Sequence, residues 1–305
     1  MKARRLIDYV LITLKGMAMG AADAVPGISG GTIALVSGIY EELVQTIANV
    51  DLSLFKKLFQ GRFKDFWRDA NGNFVLALGA GVLISYVSFM KMAKYLLEYH
   101  PILIKSFFLG LIIASIWYIG KQIPKWTVTN IVFLILGVGI GYYLTTLPGA
   151  EVNDSSLYFF ICAAVAICAM ILPGISGTLI LILLGAYSTL STAIAELDFK
   201  KLLVFVSGAV IGLLSFSKVL KWLLRKYKFP TFAVLTGLII GSIIQIWPWK
   251  KVLETKTFGD KTVVVDDVNV WPSAFEGDNQ LFLAIVLAIV GFSLIFILER
   301  TASKK

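Results

Sequence analysis

Two copies of the string Pro-Gly-Ile-Ser-Gly, at 26–30 and 173–177, interrupt long apolar stretches. Proline ends a helix, and the Ser-Gly pair that follows begins a new one. The first N–H groups of a new helix have no partner within it, and the macrodipole adds positive potential there. Ser29, Gly30, Gly31 and Thr32 therefore favour an anion at one helix start, with glycine letting it approach the backbone closely. Ser176, Gly177 and Thr178 form a second start, with Thr178 standing where the first copy has Gly31. Pro26, Gly27, Pro173 and Gly174 make the breaks themselves. Two such starts facing each other could surround one anionic group, such as a phosphate. The plainer reading is a kink whose small residues allow close packing. Two breaks at corresponding positions weigh against it, because paired discontinuous helices point to a transporter binding site.

Three other sets of residues could act with these. Asp23 is the only acid deep in the first broken stretch, and Met170 stands in its place in the second. An acid inside a membrane segment is a candidate for function: a coupling proton, a bound cation, or a loop held by hydrogen bonds. Lys91 and Lys94 lie three residues apart, as do Lys218 and Lys221, so each pair shares a helix face. With Lys105 and His100 near the first pair and Arg225 near the second, they form candidate basic entrances at opposite leaflets. Snorkelling lysines at helix ends are the alternative. Lys15, Glu41 and Glu42 fall near the expected surface and are read as structural.

The elements that must position these residues follow from composition. The 305-residue chain is 58% hydrophobic and 15% charged. Soluble domains run to about 45–50% apolar and about 25% charged, so lipid must be part of the solvent. Disordered, coiled-coil and disulfide-scaffold classes are excluded. The +9 net charge is read as membrane orientation, not as a nucleic-acid surface. Cys162 and Cys168 share one apolar run and read as core residues, and a single histidine, His100, leaves no ligand set for a metal. No cofactor is implied. Lys15 interrupts the first apolar run, and no cleavage site leads to a polar start, so a retained N-terminus is expected.

Six stretches are long enough to span: 74–97, 102–120, 129–147, 202–224, 231–247 and 280–298. Two further blocks, 6–50 and 157–195, carry the breaks. Pro26–Asp51 aligns without gaps to Pro173–Asp198, with 12 of 26 pairs identical. Gly79 then pairs with Gly208, Pro101 with Pro230 and Gly110 with Gly237. The expectation is a single membrane domain over 1–305, all-α and polytopic. It is built from repeats at 6–147 and 157–298, each a broken block followed by three transmembrane helices. Three is odd, so the second repeat is inverted relative to the first, the plan of many secondary transporters. Placing the N-terminus in the cytoplasm puts 16 Lys and Arg on inner segments against 6 on outer ones, which supports both termini inside. Polar and aromatic residues recur about 11 residues from each break, where a limb rising about 1.5 Å per residue would surface from mid-membrane. Each broken block is therefore read as a reentrant helical hairpin.

The segments GMAMGAADAVPGISGGTIALVSGIYEEL at 16–43 and AMILPGISGTLILILLGAY at 169–187 resemble the polyprenyl-phosphate transporter family of bacteria, over nearly the whole chain. The resemblance implies a flippase of the cytoplasmic membrane that returns undecaprenyl phosphate from outer to inner leaflet for reuse in peptidoglycan and other envelope polymers. It implies a lipid-phosphate substrate, membrane lipids as surroundings and no nucleic acid, and it sets no oligomeric state. Matching the family motif places the phosphate site at the two helix starts named above, with Asp23 beside the first. No phosphate-binding loop for ATP is present, which argues against direct ATP drive, and Asp23 is a candidate for coupling to a proton or cation gradient. Two alternatives stand beside this. One is an intramembrane polyprenyl-pyrophosphate phosphatase, against which Gly30 and Gly177 occupy the places where such a loop needs arginine. The other is a small-anion transporter.

Overall fold

The structure, a computed structural model, describes residues 4–25, 27, 29–153, 155–258 and 261–302, with side chains described outside 254–266 and 297–302. It is mostly helical. The first block folds as α1 (Leu6–Asp23), α2 (Gly30–Val36) and α3 (Tyr40–Ala48), and two short helices follow, α4 (Leu52–Phe59) and α5 (Phe63–Asp69). Then come α6 (Gly72–Tyr99), α7 (Pro101–Lys121) and α8 (Val128–Thr146). The second block folds as α9 (Ser156–Ile171), α10 (Gly177–Leu183) and α11 (Tyr187–Ala195), followed by α12 (Phe199–Lys226), α13 (Lys228–Ile246) and α14 (Leu281–Ala302).

Among the described residues, α6, α7, α8, α12 and α13 are long and apolar enough to cross a membrane, and α14 offers a shorter described apolar stretch, Leu281–Phe296. These six coincide with the six expected spans. Two features are additions to the expectation. The segment 49–73 carries the amphipathic helices α4 and α5. The segment after α13 forms an antiparallel hairpin, β1 (Lys250–Phe258) with β2 (Lys261–Asn269). The all-α expectation is corrected there: β-branched residues such as Val252, Thr255, Thr257, Thr262, Val263, Val264 and Val265 favour strand in a segment to which the sequence reading gave no element.

The glycines at corresponding places in the two blocks share a backbone conformation. Gly27 and Gly174 have φ of 85° and 83°, and Gly38 and Gly185 have 75° and 67°. These left-handed values suit glycine, which explains why the pairs are identical in the two halves. After the break the chain doubles back. Gly30 N–H donates to Asp23 Oδ1 at 2.6 Å, and Lys15 Nζ donates to the Ser37 carbonyl at 2.6 Å, so α2 runs antiparallel beside α1. Tyr158 near the start of α9 donates to the Leu184 carbonyl that ends α10, giving the same return in the second block. A 108° bend then separates α10 from α11.

The helices pack in pairs that exchange between the halves. α1 lies against α6, and α9 against α12, while α7 packs on α14 and α13 on α8. The backbone contacts match residue by residue. A Cβ placed on Gly110 would lie 1.8 Å from the Ala288 carbonyl oxygen, and one on Gly237 would lie 2.2 Å from that of Leu134. A Cβ on Gly137 would meet the Val234 carbonyl oxygen at 2.3 Å, and one on Gly291 that of Phe107 at 2.0 Å. Gly81 sits on the Thr13 carbonyl as Gly208 sits on that of Phe160. Gly81, not Gly79, is therefore the counterpart of Gly208. The 28-residue helices α6 and α12 start at Gly72 and Phe199, which shifts the sequence-derived pairing by two residues. The same shift makes Lys228, not Pro230, the counterpart of Pro101.

One end of the bundle gathers Arg4, Glu42, Asn71, Lys221 and Lys228. Arg4 pairs with Glu42 at 2.8 Å, Glu41 with Lys228 at 2.6 Å, and Lys221 donates to Asn49 at 2.7 Å. The Arg4 guanidinium is held above its ordinary pKa by its hydrogen bond to Glu42. The start of α7, the end of α13 and the start of α14 meet in a second cluster, Ile102, Trp249 and Ala284, beside the β-hairpin.

Candidate functional site: the two broken helices

The start of α2 is closed by protein groups. Ser29 caps it, its hydroxyl accepting from Gly31 N–H at 3.1 Å and donating to the Leu172 carbonyl at 3.4 Å. Asp23 takes the Gly30 N–H, and a Cβ on Gly30 would lie 2.4 Å from Asp23 Oδ2. Thr32 Oγ1 accepts from Gly174 N–H at 3.0 Å, and Tyr40 donates to the Ile171 carbonyl at 3.2 Å. The positive end of α2 thus meets the carbonyl end of α9, the favourable sense for two helix dipoles. The two breaks are joined directly, through Thr32 and Gly174. All seven residues of α2 are buried. Lys15, on α1, sits at the carbonyl end of α2 and Asp23 at its amide end, so α1 supplies a charge of the right sign to each end.

The start of α10 is open. Ser176 makes no side-chain cap, Thr178 is exposed, and only Ile180 and Leu181 of the helix are buried. Met170 stands where the first half has Asp23, and no carboxylate among the described residues reaches the Gly177 amide. The hydroxyl counterparts differ sharply: Tyr40 is 1% exposed and Tyr187 44%. The first hairpin is buried throughout α2, whereas the second packs on α13 through Gly174 and on residues 150–151 through Gly185 and leaves Thr178 and Tyr187 exposed.

Of the expected site residues, Asp23, Ser29, Gly30, Gly31, Thr32 and Gly174 are brought together by the bonds above. Pro173 is buried behind the second break, and Ser176, Gly177 and Thr178 line its open helix start. Gly27 lies beside Gln245 of α13, the Cβ it lacks falling 3.5 Å from Gln245 Cβ. Pro26 lies outside the described residues. Gln245 was not singled out by sequence. Its buried Oε1 has no hydrogen-bond partner among the described residues, and a lone glutamine near a span end carries no pattern that would have marked it.

The basic residues take separate places. Lys91 and Lys94 are exposed on α6. Lys105 is half-buried in the first turns of α7, within the field of Lys250 and Asp267, which pair with each other at 2.7 Å. Lys218, Lys221 and Arg225 line a depression of about 440 Å³ with Trp222 and Lys226. Beside it, Asp51 is held below the usual carboxylate range, chiefly by the Ser53 hydroxyl and the Leu54 N–H. The Cys162 thiol is buried, and Cys168 donates weakly to the Gly212 carbonyl. Among the described residues no group of His, Cys, Asp and Glu is placed to hold a metal.

The closed and open starts make a direct prediction. Ser29→Ala removes a cap worth about 1 kcal/mol, whereas Ser176→Ala removes none. Thermal unfolding in detergent should show a lower midpoint for the first variant only. Any loss of function by Ser176→Ala then reports on the site and not on the fold. An equal loss of stability in both variants would refute this division.

A family model described as undecaprenyl phosphate translocase-like matches residues 19–263. A protein of Vibrio cholerae named polyprenyl-phosphate transporter is 40% identical over 308 residues, covering 99% of this chain and all of the relative. A protein of Staphylococcus aureus with the same name is 29% identical over 253 residues, covering 77% of this chain and 85% of the relative. No solved structure matches the chain.

Proposed function

The chain belongs to the undecaprenyl phosphate translocase-like family, and on that premise we propose that it is a secondary-type flippase for polyprenyl phosphate. It carries undecaprenyl phosphate from the outer to the inner leaflet of the bacterial cytoplasmic membrane, returning the carrier lipid for envelope synthesis. The observation that carries this reading is the unequal state of two like hairpins, one closed on Asp23 and one open at Ser176. The exchanged glycine contacts support an inverted repeat, and the antiparallel returns of α2 and α10 support reentrant hairpins. Halves related in this way can exchange their two states, which is alternating access. The basic excess at the end holding Arg4, Lys221 and Lys228 favours that end, with both termini, as cytoplasmic.

In this scheme the phosphate enters near Lys91, Lys94 and Lys105. It binds at the helix starts of Pro26–Thr32 and Pro173–Thr178 and leaves near Lys218, Lys221 and Arg225. The polyprenyl chain stays in lipid. Asp23 is the coupling group, and the drive is a proton or cation gradient with no cofactor. The Glu41 and Glu42 carboxylates are engaged by Lys228 and Arg4 at the end of the bundle, away from the breaks, where a phosphatase of this kind would need paired glutamates.

Reconstitution into vesicles tests this. The protein should speed movement of undecaprenyl phosphate between leaflets by at least about tenfold over protein-free vesicles, since an unassisted charged head group crosses hydrocarbon against a large barrier. No free phosphate should appear from undecaprenyl phosphate or its pyrophosphate form. Phosphate release would convert the assignment to an enzyme, and movement of inorganic phosphate alone would convert it to a small-anion carrier.

A further inference from the structure

Helices α4 and α5 lie outside the spans, yet they present apolar side chains to the open. On α4, Leu54 is buried, whereas Leu52, Phe55 and Phe59 are 88%, 43% and 86% exposed. At 100° per residue these three share a second face, separate from that of Leu54. On α5, Phe63 is 64% exposed, with Trp67 beside it, its indole N–H donating to Asn73. The span α6 begins at Gly72, directly behind the Trp67 ring, so the pair sits at the level where a membrane-crossing helix enters the bilayer. The residues between the apolar ones are basic: Lys56, Lys57, Arg62, Lys64 and Arg68, against Asp65 and Asp69. Lys57 pairs with Asp69, and Arg62 and Arg68 pair with Asp65. Lys56 and Lys64 are exposed and have no acid partner among the described residues.

We propose that α4 and α5 are an interfacial anchor that lies in the head-group layer of an anionic leaflet. Leu52, Phe55, Phe59 and Phe63 reach the acyl boundary, and Lys56 and Lys64 take lipid phosphates. The occupant is the lipid surface itself. An apolar face flanked by lysine and arginine, beside a spanning helix, is the arrangement that binds such a surface. The anchor is also continuous with the basic depression. Lys57 and Asp69 line one hollow with Asn49, Asp51 and Lys221, and Lys221 also lines the depression of Lys218 and Arg225. The anchor therefore fixes the depth of that depression against the leaflet, whatever molecule the depression receives.

The test uses the full chain in nanodiscs with and without anionic phospholipid. A photoreactive benzoylphenylalanine replaces Phe59 in one variant and Ser53, on another face, in a second. Mass spectrometry should find lipid adducts at position 59 in roughly tenfold excess over position 53, because one face sits in the acyl boundary and the other in water. The unmodified chain should show slower amide exchange over 52–69 when anionic lipid is added. Adducts between two copies of the chain, equal adducts at both positions, or exchange indifferent to anionic lipid would each overturn the proposal. Transport is assayed separately, so a failed flippase assignment would leave this result intact.

Discussion

Valine at Gly110 should leave little folded protein. The missing Cβ would fall 1.8 Å from the Ala288 carbonyl oxygen, and the nearest atoms are all backbone of α14. Neither helix has a side chain that can swing aside, so α7 and α14 must separate along their length. Overpacking usually costs about 1–3 kcal/mol, and a rigid backbone contact lies at or beyond that upper end. Gly237→Val should behave alike, since its Cβ would meet the Leu134 oxygen at 2.2 Å in the exchanged pair α13 and α8. Gly79→Val is the control, because nothing lies within 4 Å of a Cβ there. Monodisperse yield and thermal midpoint in detergent measure all three. A Gly110→Val chain as stable as the control would show that the α7–α14 contact is not as close as described.

Asp23→Asn should uncouple transport while sparing the fold. Its amide oxygen can still accept from Gly30 N–H, so the cap survives without the charge. A carboxylate and a phosphate compete for the same positive helix start. In the proposed scheme an ionised Asp23 holds the start of α2 against the phosphate by its charge, whereas a protonated one keeps only a neutral hydrogen bond that the lipid phosphate can displace. Binding should therefore strengthen as pH falls in the wild-type protein, and the asparagine variant should lose this dependence. The gradient-driven rate should fall by about tenfold, equivalent to ~1.4 kcal/mol of coupling. Asp23→Ala goes further, leaving a buried N–H unpaired at a cost of about 1–3 kcal/mol, and should lower stability as well. The measurement is leaflet exchange of undecaprenyl phosphate in vesicles with and without an imposed pH difference. An unchanged gradient dependence in Asp23→Asn would remove Asp23 from the coupling role.

The spans, the breaks and the duplication were legible in the chain. Apolar length sets spans, because about 20 residues are needed to cross hydrocarbon. The glycines at 27, 38, 174 and 185 are repeated because the backbone there is left-handed in both halves. The lysine pairs Lys91–Lys94 and Lys218–Lys221 fall at equivalent positions of α6 and α12, as their spacing implied. Less legible were α4 and α5, whose two apolar faces blur the helical period, and the β-hairpin, whose signal is a short run of β-branched residues in a polar stretch.

What sequence by itself determined is the inventory: lipid as solvent, two broken helices, one acid before the first break without a counterpart before the second, and a family motif around it. These follow from residue type and spacing along one chain. Only the tertiary structure decided that the two breaks touch through Thr32 and Gly174, and that Asp23 fills the helix start an anion would seek. It alone showed one start closed and the other open. The two PGISG strings are identical, so no local rule can distinguish them. The difference comes from Asp23 against Met170, one turn of chain earlier, and from the α9 carbonyls that α2 reaches only in the folded protein.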